Sequence, residues 1–78
     1  MIDEKALYQA LKEVKECVMM TSQGTLEMQK YLETGDISVF SAPVLHELSL
    51  LYSNIILPAY MHASGGKYLP NIFVKLED

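Results

Sequence analysis

The stretch that decides the fold is Ile37–Gly66, ISVFSAPVLHELSLLYSNIILPAYMHASGG, in which Glu47 is the only residue with a fixed charge. A surface helix in a small protein ordinarily carries charge on its outer side. A chain of 78 residues has little else with which to surround such a helix, because a domain of this size buries only about 60–65 % of its unfolded surface. The segment is therefore expected to present an uncharged face that another molecule covers.

Ser41 reads as an N-cap, Pro43 suits a first helical turn, and Gly65-Gly66 reads as a stop, which places a helix over 42–63. Its helical wheel carries two apolar surfaces. The broad one holds Val44, Leu45, Leu48, Leu51, Tyr52, Ile55, Ile56 and Ala59. The narrow one lies opposite, with Leu50, Asn54, Leu57 and Met61 spaced four, three and four residues apart. Asn54, a lone polar residue in that line, has the character of a residue that sets helix register by pairing with its symmetry mate. Pro58 cannot donate to the carbonyl of Asn54, so a kink or break is expected at Leu57.

Upstream, Leu7, Leu11, Val14, Val18, Thr21, Thr25, Met28 and Leu32 recur alternately four and three apart, and Ala10, Cys17, Gly24 and Tyr31 run beside them at steps of seven. Charged residues fall off this stripe, which makes it an amphipathic helix with Asp3 as N-cap, ending before Gly35. Thr21–Thr25 is poor helix sequence, and Gly24 costs about 1 kcal/mol relative to Ala. The heptad phase nevertheless runs through it, so one continuous helix over 3–34 is expected, with Cys17 and Met28 filling the core.

Downstream, Leu69, Ile72, Phe73 and Leu76 form a helical stripe, while Ile72, Val74 and Leu76 alternate as a strand would. The reading is a short apolar C-terminal element over 69–77, helical or extended. Together these segments predict a single all-α domain over 1–78. It is an antiparallel helical hairpin with that terminal element, and two copies associate into a four-helix bundle. The expected interface is Leu50, Asn54, Leu57 and Met61, with Phe40 and Phe73. If these cover about 300–400 Å², their burial is worth roughly 8–10 kcal/mol per subunit before association entropy is subtracted.

Composition narrows the function. The net charge of −4, the pI near 5.0 and the absence of Arg argue against nucleic acid as a partner, since phosphate and guanine recognition leans on the guanidinium fork. Cys17 stands alone, so no intrachain disulfide forms and a reducing, cytoplasmic setting fits. The acidic start, Met1-Ile2-Asp3-Glu4-Lys5, is unlike a signal peptide. The apolar run Leu45–Met61 is short for a membrane span and contains Ser49, Ser53, Asn54 and Pro58. His46 and His62, sixteen residues apart, cannot share a metal within one straight helix. Gly65-Gly66-Lys67 lacks phosphate-loop spacing, and no carboxylate pair is set in apolar surroundings.

No catalytic residue, metal or cofactor is therefore expected. The sequence points to a small cytoplasmic non-enzymatic regulator or adaptor, bacterial or phage in character, such as an inhibitor or accessory factor of a mobile element. It would bind itself or another protein through an apolar helical face. Two alternatives are a ligand- or metal-binding bundle, with a pocket near Tyr52, Tyr60, Cys17 and His62, and a membrane-associated protein lying on the bilayer through its second helix.

Overall fold

The computed structural model describes residues 2–77 and is all-helical, with no strand among them. The helices are α1 (Glu4–Cys17), α2 (Ser22–Thr34), α3 (Ala42–Leu51), α4 (Leu57–Ser64) and α5 (Ile72–Glu77). A 3₁₀ turn, Ile37–Val39, precedes α3, and a π-helical turn, Tyr52–Ile56, joins α3 to α4.

The continuous helix expected over 3–34 is two helices. At 1.5 Å per residue it would be about 48 Å long, whereas the longest dimension of the molecule is 32 Å. The chain turns at 18–21, where Val18 is extended (φ −122°, ψ 134°). Thr21 then restarts the helix, its Oγ1 accepting from the Gly24 amide at 3.1 Å. The cap chemistry of Thr21-Ser22-Gln23-Gly24 thus outweighs the heptad phase. That phase needs only a stripe on each helix, so it carries no information about continuity. α2 folds back so that the Tyr8 hydroxyl donates to the Leu32 carbonyl at 3.0 Å, and the Tyr8 and Tyr31 rings lie 6.0 Å apart.

The single core draws on every helix: Ala6, Leu7, Ala10, Leu11 and Val14 from α1, Met28 and Tyr31 from α2, Val44, Leu45 and Leu48 from α3, and Tyr60 and Phe73 from α4 and α5. α1 packs mainly on α4 and the π turn, whereas α3 is covered by α5. The broad face of the second arm is therefore shared between the first helix and the C-terminal helix. Tyr60 ties the chain start to α4, its hydroxyl accepting from the Asp3 amide at 2.8 Å. The Tyr52 hydroxyl donates to the carbonyl of Leu69 and so fastens the segment before α5. The hairpin expected from sequence becomes a more folded object, with both arms interrupted.

The π turn explains the second interruption. Val44, Leu48, Tyr52, Ile56 and Tyr60 are all buried, at a uniform spacing of four. An α-helix advances 3.6 residues per turn and would swing this line by about 160° over its length. A π turn, with hydrogen bonds to the fifth residue back, takes up most of the excess. Here the Leu57 amide donates to the Tyr52 carbonyl. Pro58 follows at once, at the start of α4. The expected disturbance at Leu57 is therefore a widened turn that relieves the clash between the pyrrolidine ring and the carbonyl four residues back.

Two carboxylates close α2 against α3 reciprocally. Glu47 on α3 accepts from the Thr21 amide at 3.2 Å and from its hydroxyl at 3.0 Å, at the start of α2. Glu27 on α2 accepts from the Ser41 amide at 2.6 Å and from its hydroxyl at 2.9 Å, at the start of α3. Each negative charge thus meets the positive end of the other helix. Although burial pushes the Glu27 carboxyl up, the Ser41 amide, Gln23, the Ser41 hydroxyl and Lys30 together hold it below its usual value. Ser41 caps α3 as expected from sequence, but its hydroxyl donates to Glu27 and makes no cap bond to its own helix.

Candidate interaction surface

The uniform spacing of the buried line imposes the same spacing on the opposite side of the arm. Ala42, His46, Leu50, Asn54, Pro58 and His62 are all exposed and form an outer ridge along α3, the π turn and α4. The exposed residues between 42 and 66 include no Lys, Arg, Asp or Glu. Glu47, the one fixed charge of the segment, is half-buried and engaged with Thr21. The ridge is therefore uncharged along its whole length.

The expected interface residues separate into three groups. Leu50, 65 % exposed, and Asn54 stand on the ridge. Past the π turn the helix is rotated relative to an ideal α-helix. Leu57 consequently turns toward the core, where it is half-buried, and Met61 falls to 38 % exposure. Pro58 and His62 occupy the ridge positions that a straight helix would give to Leu57 and Met61. Phe40 and Phe73 do not belong to any surface. Phe40 is buried with its ring stacked 5.4 Å from that of Tyr31, and Phe73 is completely enclosed under α5. Both were expected outside because the wheel of one helix does not show what the 3₁₀ turn and the tail cover.

Beside the ridge, α1 and α4 leave an open groove in two adjoining parts of about 480 and 380 Å³. Glu13, Glu16, Cys17, Asn54, Ala59 and His62 line it. Cys17, expected in the core, is exposed here at the end of α1, because the break at 18–21 ends the stripe on which it would have been covered. The four residues expected to make a ligand pocket are not brought together. Cys17 and His62 face the groove, whereas Tyr52 and Tyr60 are buried in the core with their hydroxyls bonded to backbone. Among the described residues, no three His, Cys, Asp or Glu side chains gather closely enough to hold a metal ion. No helix among them is long and apolar enough to cross a membrane.

Burial also marks two phenols. The Tyr31 hydroxyl is pushed up to about 12 by burial, helped by the Glu4 carboxylate and Tyr8. Tyr52 is likewise raised to about 12, by burial and by its contact with Tyr68. These shifts belong to the packing of the core, since both rings lie under the helices and away from the ridge and the groove. Comparison of the chain with protein-family models, with curated proteins and with solved structures finds no match.

Proposed function

We propose that this chain is a non-enzymatic regulator or adaptor that works by binding protein through the outer ridge of α3 and α4. The observation that carries the reading is a long, solvent-facing helical surface without fixed charge, centred on Leu50 and Asn54. Water contacts this surface at a hydrophobic cost that a partner would remove. The outward side of α1 is unlike it, alternating Lys5, Lys12, Glu13, Lys15 and Glu16, the composition of a solvated face; the other exposed apolar side chains, Met19, Leu26, Tyr68, Val74 and Leu76, lie outside α3 and α4. The inner side of the arm already meets its core, so burial within the subunit does not compete for the ridge.

The reading is tested by purifying the chain at endogenous level from its native cells, in parallel with a Leu50→Glu variant. The expected result is a second chain, another protein or an untagged copy, recovered in equal amount with the original and lost with the variant. Recovery of the same chains in the same amounts with both would refute it. A second reading is binding of a small polar ligand in the α1–α4 groove, favoured by the two carboxylates, Glu13 and Glu16, that line its wall with His62. It predicts protection of the Cys17 thiol from alkylation when ligand is bound.

A further inference from the structure

We infer that the occupant of the ridge is a second copy of this chain, packed antiparallel about a two-fold axis at Asn54. The inference rests on the proposed binding role of the ridge and names its partner. Its first support is symmetry. The ridge residues His46, Leu50, Asn54, Pro58 and His62 are equally spaced and nearly palindromic in character. An axis through Asn54 sets Leu50 of one copy against the apolar ring of Pro58 of the other, twice. It also sets the two Asn54 amides face to face, where each can donate to and accept from its mate. No other residue of the ridge lies on that axis, so the polar group falls at the one place where self-pairing satisfies it.

Charge is the second support. Two copies each carrying −4 repel, and most approaches bring like charges together. The ridge itself adds nothing to this penalty, because its exposed residues carry no fixed charge; Glu13 and Glu16 flank only its α4 half, across the groove. A foreign partner would gain no electrostatic steering or selectivity from such a surface, whereas a self-complementary one needs none.

Length is the third. The 23 residues of 42–64 extend about 34 Å at 1.5 Å per residue, the full 32 Å length of the molecule, so two copies laid antiparallel about Asn54 meet along the whole ridge. A strip one helix wide, about 10 Å, covers roughly 340 Å² per copy, the scale of a weak, concentration-dependent pairing. The π turn is what makes the surface continuous, since a straight α-helix would carry the same residues round to the groove side.

The test uses the full chain with Cys17→Ser as background, in light scattering and sedimentation over a range of concentrations, with oxidative cross-linking. Self-association into a dimer is expected, weakened at least about a hundredfold by Leu50→Glu at unchanged helical circular dichroism. Asn54→Cys is expected to give a covalent dimer on oxidation. Leu50→Cys is expected to give none, because an antiparallel pairing holds the two position-50 thiols about 12 Å apart along the helix. A chain that stays monomeric at millimolar concentration would overturn the inference. If that monomer still recovers a different protein in a Leu50-dependent manner, the binding role stands and only the identity of the occupant fails. Efficient cross-linking through both positions would indicate a parallel dimer and would equally overturn it, as would a dimer indifferent to Leu50→Glu.

Discussion

Deleting Ser53 from the π turn is the most informative perturbation of this fold. The buried line then reads four, four, three and four residues apart, which a regular α-helix can keep on one side. Ser53 is itself exposed, so its loss removes no core contact. The cost comes from Pro58. Once the wide turn is gone, its ring sits inside an ordinary α-helix, where the missing amide and the clash with the carbonyl four residues back are worth about 3 kcal/mol. A domain of this length has a total stability of about 4–12 kcal/mol, so that loss is large and measurable. Pro58→Ala in the full-length chain should change stability by less than about 1 kcal/mol, because the π turn already accommodates the ring. The two changes together should recover most of the 3 kcal/mol, giving a coupling energy of that order.

The assay is urea unfolding followed by circular dichroism at 222 nm for the four chains, with deletion of Gln9 as a control. Gln9 lies among buried Leu7, Ala10 and Leu11 in a plain α-helix. Its removal rotates Ala10, Leu11 and Val14 out of the core and should leave little folded protein. If loss of Ser53 costs the same with and without Pro58→Ala, the widened turn does not exist to house the proline. If it is as damaging as loss of Gln9, the wide turn does not collapse to a regular helix that keeps the buried line on one side, and the account of both faces of the arm fails.

Other consequences follow from single contacts. Glu27→Gln should cost about 1 kcal/mol at neutral pH, by weakening the charge-assisted bonds to Ser41. Because the folded carboxyl titrates below the 4.5 of the free group, its contribution is present above that value and disappears as pH falls through the folded one. The stability gap between wild type and variant should therefore narrow on acidification, as chemical unfolding at several pH values would show. Tyr60→Phe should cost about 1 kcal/mol and speed hydrogen exchange in the first turn of α1, where the Asp3 amide loses its acceptor; unchanged exchange would contradict the tie. Phe73→Ala should cost about 3–5 kcal/mol, seen as a large fall in the thermal midpoint, because α5 is held chiefly by that ring. In alkaline titration at 295 nm, Tyr31 and Tyr52 should ionise late, near pH 12. Their raised values mean that the associated stability is intact below pH 10 and is lost as pH rises toward 12.

The all-helical class, the caps at Asp3 and Ser41 and the stops at Gly35 and Gly65 were legible from residues alone. Most depend on chemistry within a few positions: the Asp3 carboxylate reaching the amide three residues on, or a glycine adopting φ near 72–75° where other residues are strained, whereas Ser41 marks the start of α3 with its hydroxyl turned to Glu27. The uncharged character of the second arm was legible too, because charge is a property of composition. The break after Cys17 was written in Thr21–Thr25, but heptad phase obscured it, since a hairpin and a straight helix can share the same stripe. The signal for the π turn was also present, as five apolar residues spaced four apart, and it is visible only once one asks which line is buried.

What tertiary structure alone decided was which apolar residues face outward. Phe40 and Phe73 are as apolar as Leu50, yet they are covered by Tyr31 and by the packing of α5 on α3, contacts between segments 9 and 21 or more residues apart. Glu47 reads as a lone surface charge until Thr21, 26 residues away, is brought beside it. Local sequence sets the periodicity of each helix, because backbone hydrogen bonds span only a few residues. The side that remains in water depends on where distant helices come to rest, and that is settled by the packing of the whole core.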